Sequence, residues 1–251
     1  MTFKVLFSNI GYARGIDGTL WQHLCRFNRH FYCSIPLQQQ VLMQLKNIIA
    51  ATNPDICCFV EIDEGSVHSA RFNQIKYLLD DEYRHYDIAD KYGPGNWLAG
   101  LPLHFGKSSA FMSRLEYPFE KLYFTTGSKR LIHRIALPNN VMLYFTHFSL
   151  QRKVRQQQFS ELRMQIEEQG VPVIIMADFN IMQGFAELKP FLDGTDLAIL
   201  NDEQQPTFRL HRATKALDLC ICSKSLANKM DLKIIQQPFS DHAALLLEAA
   251  W

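Results

Sequence analysis

Asp178 and Asn180 stand two residues apart at the end of the apolar run Val173–Ala177. Strand periodicity puts both on one face, a carboxylate beside a neutral amide. Such a pair suits an acid that activates water and an amide that meets an oxyanion. Phe179, between them, is expected to point the other way, into the core. The same placement recurs along the chain. Asn9 ends "FKVLFSN", Glu61 follows "CCFV", and His147 follows "MLYFT". Asp218 opens an apolar strand, and Asp241 and His242 precede another. Singly, each has a plain explanation: a turn former, a solvated acid, a hydrogen-bonded structural histidine. Together they supply what phosphate-ester hydrolysis needs. Hard divalent cations take oxygen ligands, water needs a base to aim it, and phosphoryl oxygens need donors.

The elements that must carry these residues are strands and helices in alternation, giving way to strands. Strands are expected at Phe3–Ile10, Asp55–Ile62, Ser108–Arg114, Lys129–Pro138, Asn140–Leu150, Val171–Asn180, Lys215–Ser223, Met230–Gln237 and His242–Ala249. The pair around Pro138-Asn139-Asn140 reads as a hairpin. Val41, Leu42, Leu45, Ile48 and Ile49 share one face of a helix stopped at Asn53-Pro54. Further helices are expected over Val67–Asp81 and over 151–170, the latter closed by Gly170. This pattern implies one domain, residues 1–251, with two sheets and helices outside. A mixed sheet with helices on one side is the alternative. Two segments fit no element: Gly11–Pro36, of which "TLWQHLCRF" could be a short helix, and Tyr92–Lys107. Loops of that length are either functional walls or packed surface excursions.

Composition narrows the class. The chain has 251 residues, 47% hydrophobic and 20% charged, with a net charge of +1. That is a soluble globular composition with no strong electrostatic footprint, although a local basic groove can sit on a neutral protein. No apolar stretch is long enough to span a membrane, and the N-terminus does not read as a signal peptide. The six cysteines show no CxxC pair and no framework spacing, which fits reduced thiols in a cytoplasmic protein. Oligomeric state is not legible.

The ordered set "SNIG", "FVEI", "FTHFS", "ADFN", "ALDLCICS" and "FSDHAALL", from Asn9 to His242, resembles the endonuclease/exonuclease/phosphatase superfamily. "SSAFMSR" is similar to that group's central strand. The resemblance implies a four-layered α/β sandwich: two packed mixed β-sheets with helices on both outer faces. It also implies a hydrolase of phosphate esters dependent on Mg2+, with Mn2+ as a substitute. Carried over residue by residue, Glu61 would be the principal metal ligand, with Asn9 and Asp241 completing or supporting that site. Asp178 would activate the attacking water, and Asn180 would orient it or bind the phosphoryl oxygen. His242 and His147 would contact the phosphate, and Asp218 would fix the His242 tautomer. Two departures stand out. Gly11 occupies a position where the group often has Asp or Arg, so a second carboxylate near the metal is absent there. Ala177 replaces a glycine.

The substrate is less legible. The Thr-His of "FTHF" resembles the DNase, sphingomyelinase and phosphatase branches, and the inositol 5-phosphatase signatures are missing. Basic residues cluster at Arg152, Lys153 and Arg155, and at Arg14, Arg26 and Arg29, the latter interleaved with Trp21, Phe27, Phe31 and Tyr32. Basic and aromatic residues together can hold a nucleic-acid strand, so Arg14, Trp21, Arg152 and Arg155 are candidate substrate contacts. The plain alternatives are a solvated helix face and an amphipathic insertion. The reading is a phosphodiesterase, nuclease-like, acting on a phosphate ester that could be nucleic acid. A phosphomonoesterase on a sugar, nucleotide or lipid phosphate is the alternative, and a non-catalytic binding protein of the same fold the third.

Overall fold

The computed structural model describes residues 2–101 and 104–250. Pro102 and Leu103, in the second unassigned segment, lie outside the described residues. The strands are β1 (Phe3–Asn9), β2 (Ile56–Asp63), β3 (His85–Asp90), β4 (Lys107–Ser113), β5 (Phe119–Tyr123), β6 (Leu131–Leu137) and β7 (Val141–His147). They continue with β8 (Val173–Asp178), β9 (Leu197–Ile199), β10 (Phe208–Leu210), β11 (Ala213–Lys215), β12 (Asp218–Ser223), β13 (Met230–Ile235) and β14 (Ala244–Ala249). One six-stranded sheet runs β13-β14-β1-β2-β4-β3 and the other β5-β6-β7-β8-β12-β9. Each holds one parallel pair, β1–β2 and β7–β8, and is otherwise antiparallel among the described residues.

Three apolar layers hold the sandwich together. Val5, Phe7, Cys58, Phe145, Met176 and Cys220 pack between the sheets. Helix α1 (Leu20–Cys25) belongs to the first insertion, and helix α2 (Ile35–Thr52) covers the first sheet. Val41, Leu42, Leu45 and Ile49 of α2 pack on Leu6, Cys57 and Phe59. Helix α3 (Gln74–Leu78) lies on the same face. On the far side Phe159 and Leu162 of helix α4 (Arg152–Gln169) pack on Tyr144, Ile175 and Phe179. The result is the expected four-layered sandwich, and Phe179 is buried under α4 as its parity requires. Gly170 ends α4 at φ +62° and Asn53 ends α2 at φ +53°, the left-handed stop that each sequence favours.

Several expectations need correcting. The helix over Val67–Asp81 shrinks to Gln74–Leu78. Residues before it turn instead, because the Asp63 carboxylate accepts from the Gly65 and Ser66 amides and the Ser69 hydroxyl. Ala70 and Arg71 are left-handed there. The run Lys215–Ser223 is two strands, β11 and β12, parted at Ala216-Leu217. Sequence patterning missed β3, β5, β9 and the β10–β11 hairpin, which are short or lie at sheet edges. "TLWQHLCRF" does contain a short helix, α1, capped by the Thr19 side chain.

Candidate active site

The register of the second sheet assembles half of the site. His147 pairs with Asp178 across β7–β8, and Asp178 pairs with Asp218 across β8–β12. Their strand-mates Phe145, Met176 and Cys220 face between the sheets, so period two turns all three polar side chains to that side. They sit in a row where the apolar layer ends. In the first sheet Asn9 follows Val5 and Phe7 with the same parity. Glu61 does not. Cys57 and Phe59 face outward toward α2, and strict alternation would send Glu61 after them. The β2–β4 register slips between Phe59 and Ile62, and Glu61 adopts φ +53°. The bulge re-aims the carboxylate to the mouth of the sandwich. Asn180 (φ +52°) and the consecutive Gly11, Tyr12 and Ala13 (φ +53°, +55° and +52°) are left-handed too. Such conformations in residues other than glycine concentrate where a site dictates them.

Hydrogen bonds and one longer ion-pair contact join these groups. His242 Nδ1 donates to Asp218 Oδ2 at 2.7 Å, and its Nε2 lies 3.9 Å from Asp178 Oδ2. Asp178 Oδ2 is 2.9 Å from His147 Nε2 and accepts from Asn9 Nδ2 at 3.2 Å. Asp178 Oδ1 accepts the Asn180 amide at 3.1 Å, and Asn180 Nδ2 donates to the Phe148 carbonyl at 2.9 Å. Every member is buried. Burial alone would raise the Asp178 carboxyl, but His147 and His242 outweigh it and hold it well below the usual carboxylate range. Burial pushes Asp218 up to about 6, and the Asp218 and Asp178 anions outweigh burial at His242 and lift it to about 10. The direction of the His242 shift favours the imidazolium at neutral pH.

Glu61 has a different environment. Its Oε2 lies 3.4 Å from Arg14 Nη2, and its Oε1 lies 4.0 Å from Lys129 Nζ and 3.9 Å from His147 Nδ1. The side chain keeps 18% of its exposure. Burial would raise its carboxyl; Lys129, His147 and Arg14 overcome that and hold it at about 2. The Lys129 ammonium also lies against His147 Nε2. Sequence reasoning missed Lys129, whose signal is a lysine set immediately before a buried strand. Lys91, brought down to about 7 by burial against the pull of Glu61, lines the same mouth.

Two groupings could hold a cation. Asp178, Asp218 and His242 place ligand atoms within 4.8 Å of one another. In that trio His242 Nδ1 and Asp218 Oδ2 are already hydrogen-bonded to each other at 2.7 Å. Glu61 fits better. It is a hard oxygen ligand, ionised and open to solvent, which suits a divalent cation that retains water. Burial, with the nearby Glu61 charge, pushes the Asp241 carboxyl up, a repulsion that a cation would relieve. The Asn9 side-chain oxygen accepts from the Gly11 amide at 3.1 Å.

Of the candidate substrate contacts, Arg14 reaches the site. Trp21 lies out on α1, 74% exposed. Arg155 is a correction. It is buried, its Nη2 pairs with buried Glu187, and its Nη1 donates to the Ser149 and Leu150 carbonyls at 2.8 and 3.0 Å. It braces the loop behind His147 from inside the protein. Its position one turn before Phe159 and two before Leu162 put it on the apolar face of α4 from the start. Arg152 is exposed and lies 3.9 Å from the same Glu187. The first insertion is fastened over the site by its backbone. Gly18 (φ +77°) accepts from the His211 amide at 2.6 Å, at a spot where a Cβ would collide with the Arg209 carbonyl.

Two six-stranded sheets thus close on a histidine–carboxylate row with Glu61 at their mouth. The chain belongs to the endonuclease/exonuclease/phosphatase family, whose model matches residues 41–242. Members of that family hydrolyse phosphate esters and generally depend on a divalent metal. No curated protein sequence matches the chain. Among solved structures it is similar to a family protein from Leptotrichia buccalis (16% identity, TM-score 0.68, covering 99% of this chain and 100% of that one). Truncated TDP2 of Caenorhabditis elegans gives 16% identity and a TM-score of 0.66, over 100% of this chain and 98% of that one. The human nocturnin catalytic domain with bound sulfate gives 18% and 0.64, over 99% and 94%. At these identities the likeness is one of fold.

Proposed function

We propose that this chain is a Mg2+-dependent phosphodiesterase of nuclease type, with Mn2+ as a substitute, that cleaves by attack of an oriented water. The observation that carries the reading is the continuous chain Asp218–His242···Asp178–His147, facing Glu61 across the mouth of the sandwich. Asp218 fixes the tautomer of His242 and keeps it cationic, so its Nε2–H points a charge-assisted donor at a phosphoryl oxygen. Asp178, locked by Asn9, His147 and the Asn180 amide, orients the attacking water. A carboxylate held so far down is a poor proton sink on its own, so its contribution is aim and electrostatics as charge develops on phosphorus. Asn180 orients the water or meets the phosphoryl oxygen. Lys129 and His147 add positive and donor groups on the Glu61 side. Glu61, supported by Asn9 and Asp241, would hold the cation, which supplies Lewis-acid polarisation of the phosphoryl oxygen.

A diester is favoured because the Arg14 side of the mouth extends into an insertion carrying Arg26, Arg29 and exposed Trp21, Phe27, Phe31 and Tyr32, a surface suited to a nucleic-acid strand. Five of the six free thiols are buried, which supports a cytoplasmic setting. No helix among the described residues is long and apolar enough to cross a membrane. The test is one panel with Mg2+ or Mn2+ and an EDTA control: bis-p-nitrophenyl phosphate, p-nitrophenyl phosphate, single- and double-stranded DNA, RNA and sphingomyelin. Metal-dependent turnover of diesters above monoester is expected. Turnover of p-nitrophenyl phosphate alone would replace this reading with a phosphomonoesterase. No turnover, and no metal bound, would leave a binding protein.

A further inference from the structure

Beside the catalytic row lies a group of cations that the reaction does not require. Tyr12 is buried in a left-handed backbone, and three basic side chains converge on its ring. Lys91 Nζ donates to its hydroxyl at 2.7 Å and lies 5.3 Å from the ring centroid. Lys107 Nζ lies 4.6 Å and the Arg14 guanidinium carbon 5.5 Å from the same centroid. The ring face moderates this charge without neutralising it. Nearby acids are already committed. Glu61 serves Arg14 and Lys129. Asp63 is taken by the 65–69 turn, and Asp90 accepts the Tyr92 amide at 2.6 Å. Among the described residues neither Lys91 nor Lys107 has a carboxylate within 4.0 Å. A divalent cation at Glu61 would add to the surplus.

The cations are also held at fixed spacing. The Lys91 amide donates to the Lys107 carbonyl at 3.2 Å, and the Arg130 and Leu131 amides donate to the Lys91 carbonyl at 2.7 and 3.3 Å. One backbone frame thus ties Lys91 and Lys107 to the segment carrying Lys129. Arg14 stands between Tyr12 and Glu61, so the group adjoins the place where the scissile phosphate would lie.

We propose that Arg14, Lys91 and Lys107, gathered round Tyr12, form a second anion subsite that takes a phosphate of the substrate other than the one being hydrolysed. This rests on the phosphoesterase reading above. The substrate class is therefore one with two phosphates near each other, either neighbouring phosphates of a polynucleotide or a small bisphosphate. Basic side chains held in place recognise phosphate oxygens by charge-assisted hydrogen bonds, and an incoming phosphate would draw Lys91, which burial lowers to about 7, into its ammonium form.

The first test is binding, which needs no turnover. Calorimetry would compare thymidine 5′-monophosphate with thymidine 3′,5′-bisphosphate. The wild type is expected to prefer the bisphosphate by about tenfold or more, and K91Q/K107Q to lose that preference while K91R/K107R keeps it. Equal affinity of the wild type for both ligands would overturn the subsite, as would a preference that survives in K91Q/K107Q. Binding of a short oligo-dT above the bisphosphate assigns the second phosphate to a polynucleotide; the reverse assigns it to a small ligand. The second test is kinetic, with the p-nitrophenyl ester of thymidine 5′-phosphate with and without a 3′-phosphate. The ratio of their KM values is expected to collapse in K91Q/K107Q. A wild type that binds the bisphosphate selectively but turns over neither ester keeps the subsite and removes the hydrolase reading, so the two failures are distinct.

Discussion

The two sheets contribute unlike halves to one site. From the second sheet His147, Asp178 and Asp218 arrive in register, buried, and joined to each other or to His242 at 2.7 to 2.9 Å. From the first sheet Glu61 arrives through a bulge, partly exposed, with Arg14, His147 and Lys129 at 3.4 to 4.0 Å. The tight half behaves as a fixed device whose protons are assigned by its partners. The loose half holds a charge ready to exchange partners, as a metal ligand must. The difference follows from backbone geometry. Regular pairing fixes neighbours, whereas a bulge frees one side chain from the pleat.

The largest effects should come from breaking the tight half. Asp178→Asn or His242→Ala is expected to lower metal-dependent turnover by about 10³- to 10⁴-fold, roughly 4 to 5.5 kcal/mol of barrier. Steady-state rates on bis-p-nitrophenyl phosphate check this, and unchanged turnover in both variants would end the mechanism. Next is the brace behind His147. Arg155→Met leaves buried Glu187 with only the exposed Arg152 near it and should cost about 3 kcal/mol of stability in urea unfolding, while Arg152→Gln should cost under about 0.5 kcal/mol. A similar loss in both would return Arg155 to the surface.

Asp218→Asn is expected to cost about a hundredfold in turnover, because His242 loses the anion that keeps it charged and oriented. The same pair sets a pH signature. His242 is raised from its ordinary 6.5 to about 10, so its contribution to stability is full below about pH 6.5 and is lost as pH rises through about 10. Asp178 works in the opposite sense: its contribution is present above about pH 4 and is lost as pH falls. Urea unfolding across pH should show wild-type stability declining from pH 7 to 10 and a flatter profile in Asp218→Asn. Parallel profiles would mean that the pair does not share its charge as described. The smallest effect within the site belongs to the loose half. Mg2+ at tenfold its Kd should stabilise the wild type by about 1.4 kcal/mol, seen as a rise of a few degrees in Tm, and should not shift Glu61→Gln.

What sequence reading recovered was governed by alternation and by short polar tips. It located the long apolar strands, α2 and α4, and the row His147, Asp178, Asp218, since period two is all that row needs. It could not show that Glu61 points inward, because alternation predicts the opposite face and only the bulge reverses it. Lys129, Lys91 and Lys107 were invisible for another reason. A lysine beside a strand reads as solvated, and its convergence on Glu61 or Tyr12 comes from segments far apart in the chain. Arg155 went wrong through composition, since a basic cluster hid a helical spacing that already put it on the apolar stripe. The short strands β5, β9, β10 and β11 carry too few residues for a period to show.

The contact between Gly18 and the β10–β11 hairpin bears on how this molecule could be re-engineered. The first insertion leaves Leu20, Trp21, Leu24, Phe27 and Phe31 largely exposed, so apolar burial does little to order it. Its order depends on a few anchor points, and the one at Gly18 admits no side chain. An insertion attached in that way resembles a removable part. Segments of other lengths and compositions could be exchanged between Gly18 and Arg26, provided that the glycine, the hairpin that receives it, and Arg26, Arg29 and buried Cys33, which bond to Gly15, Arg14 and His68, are kept.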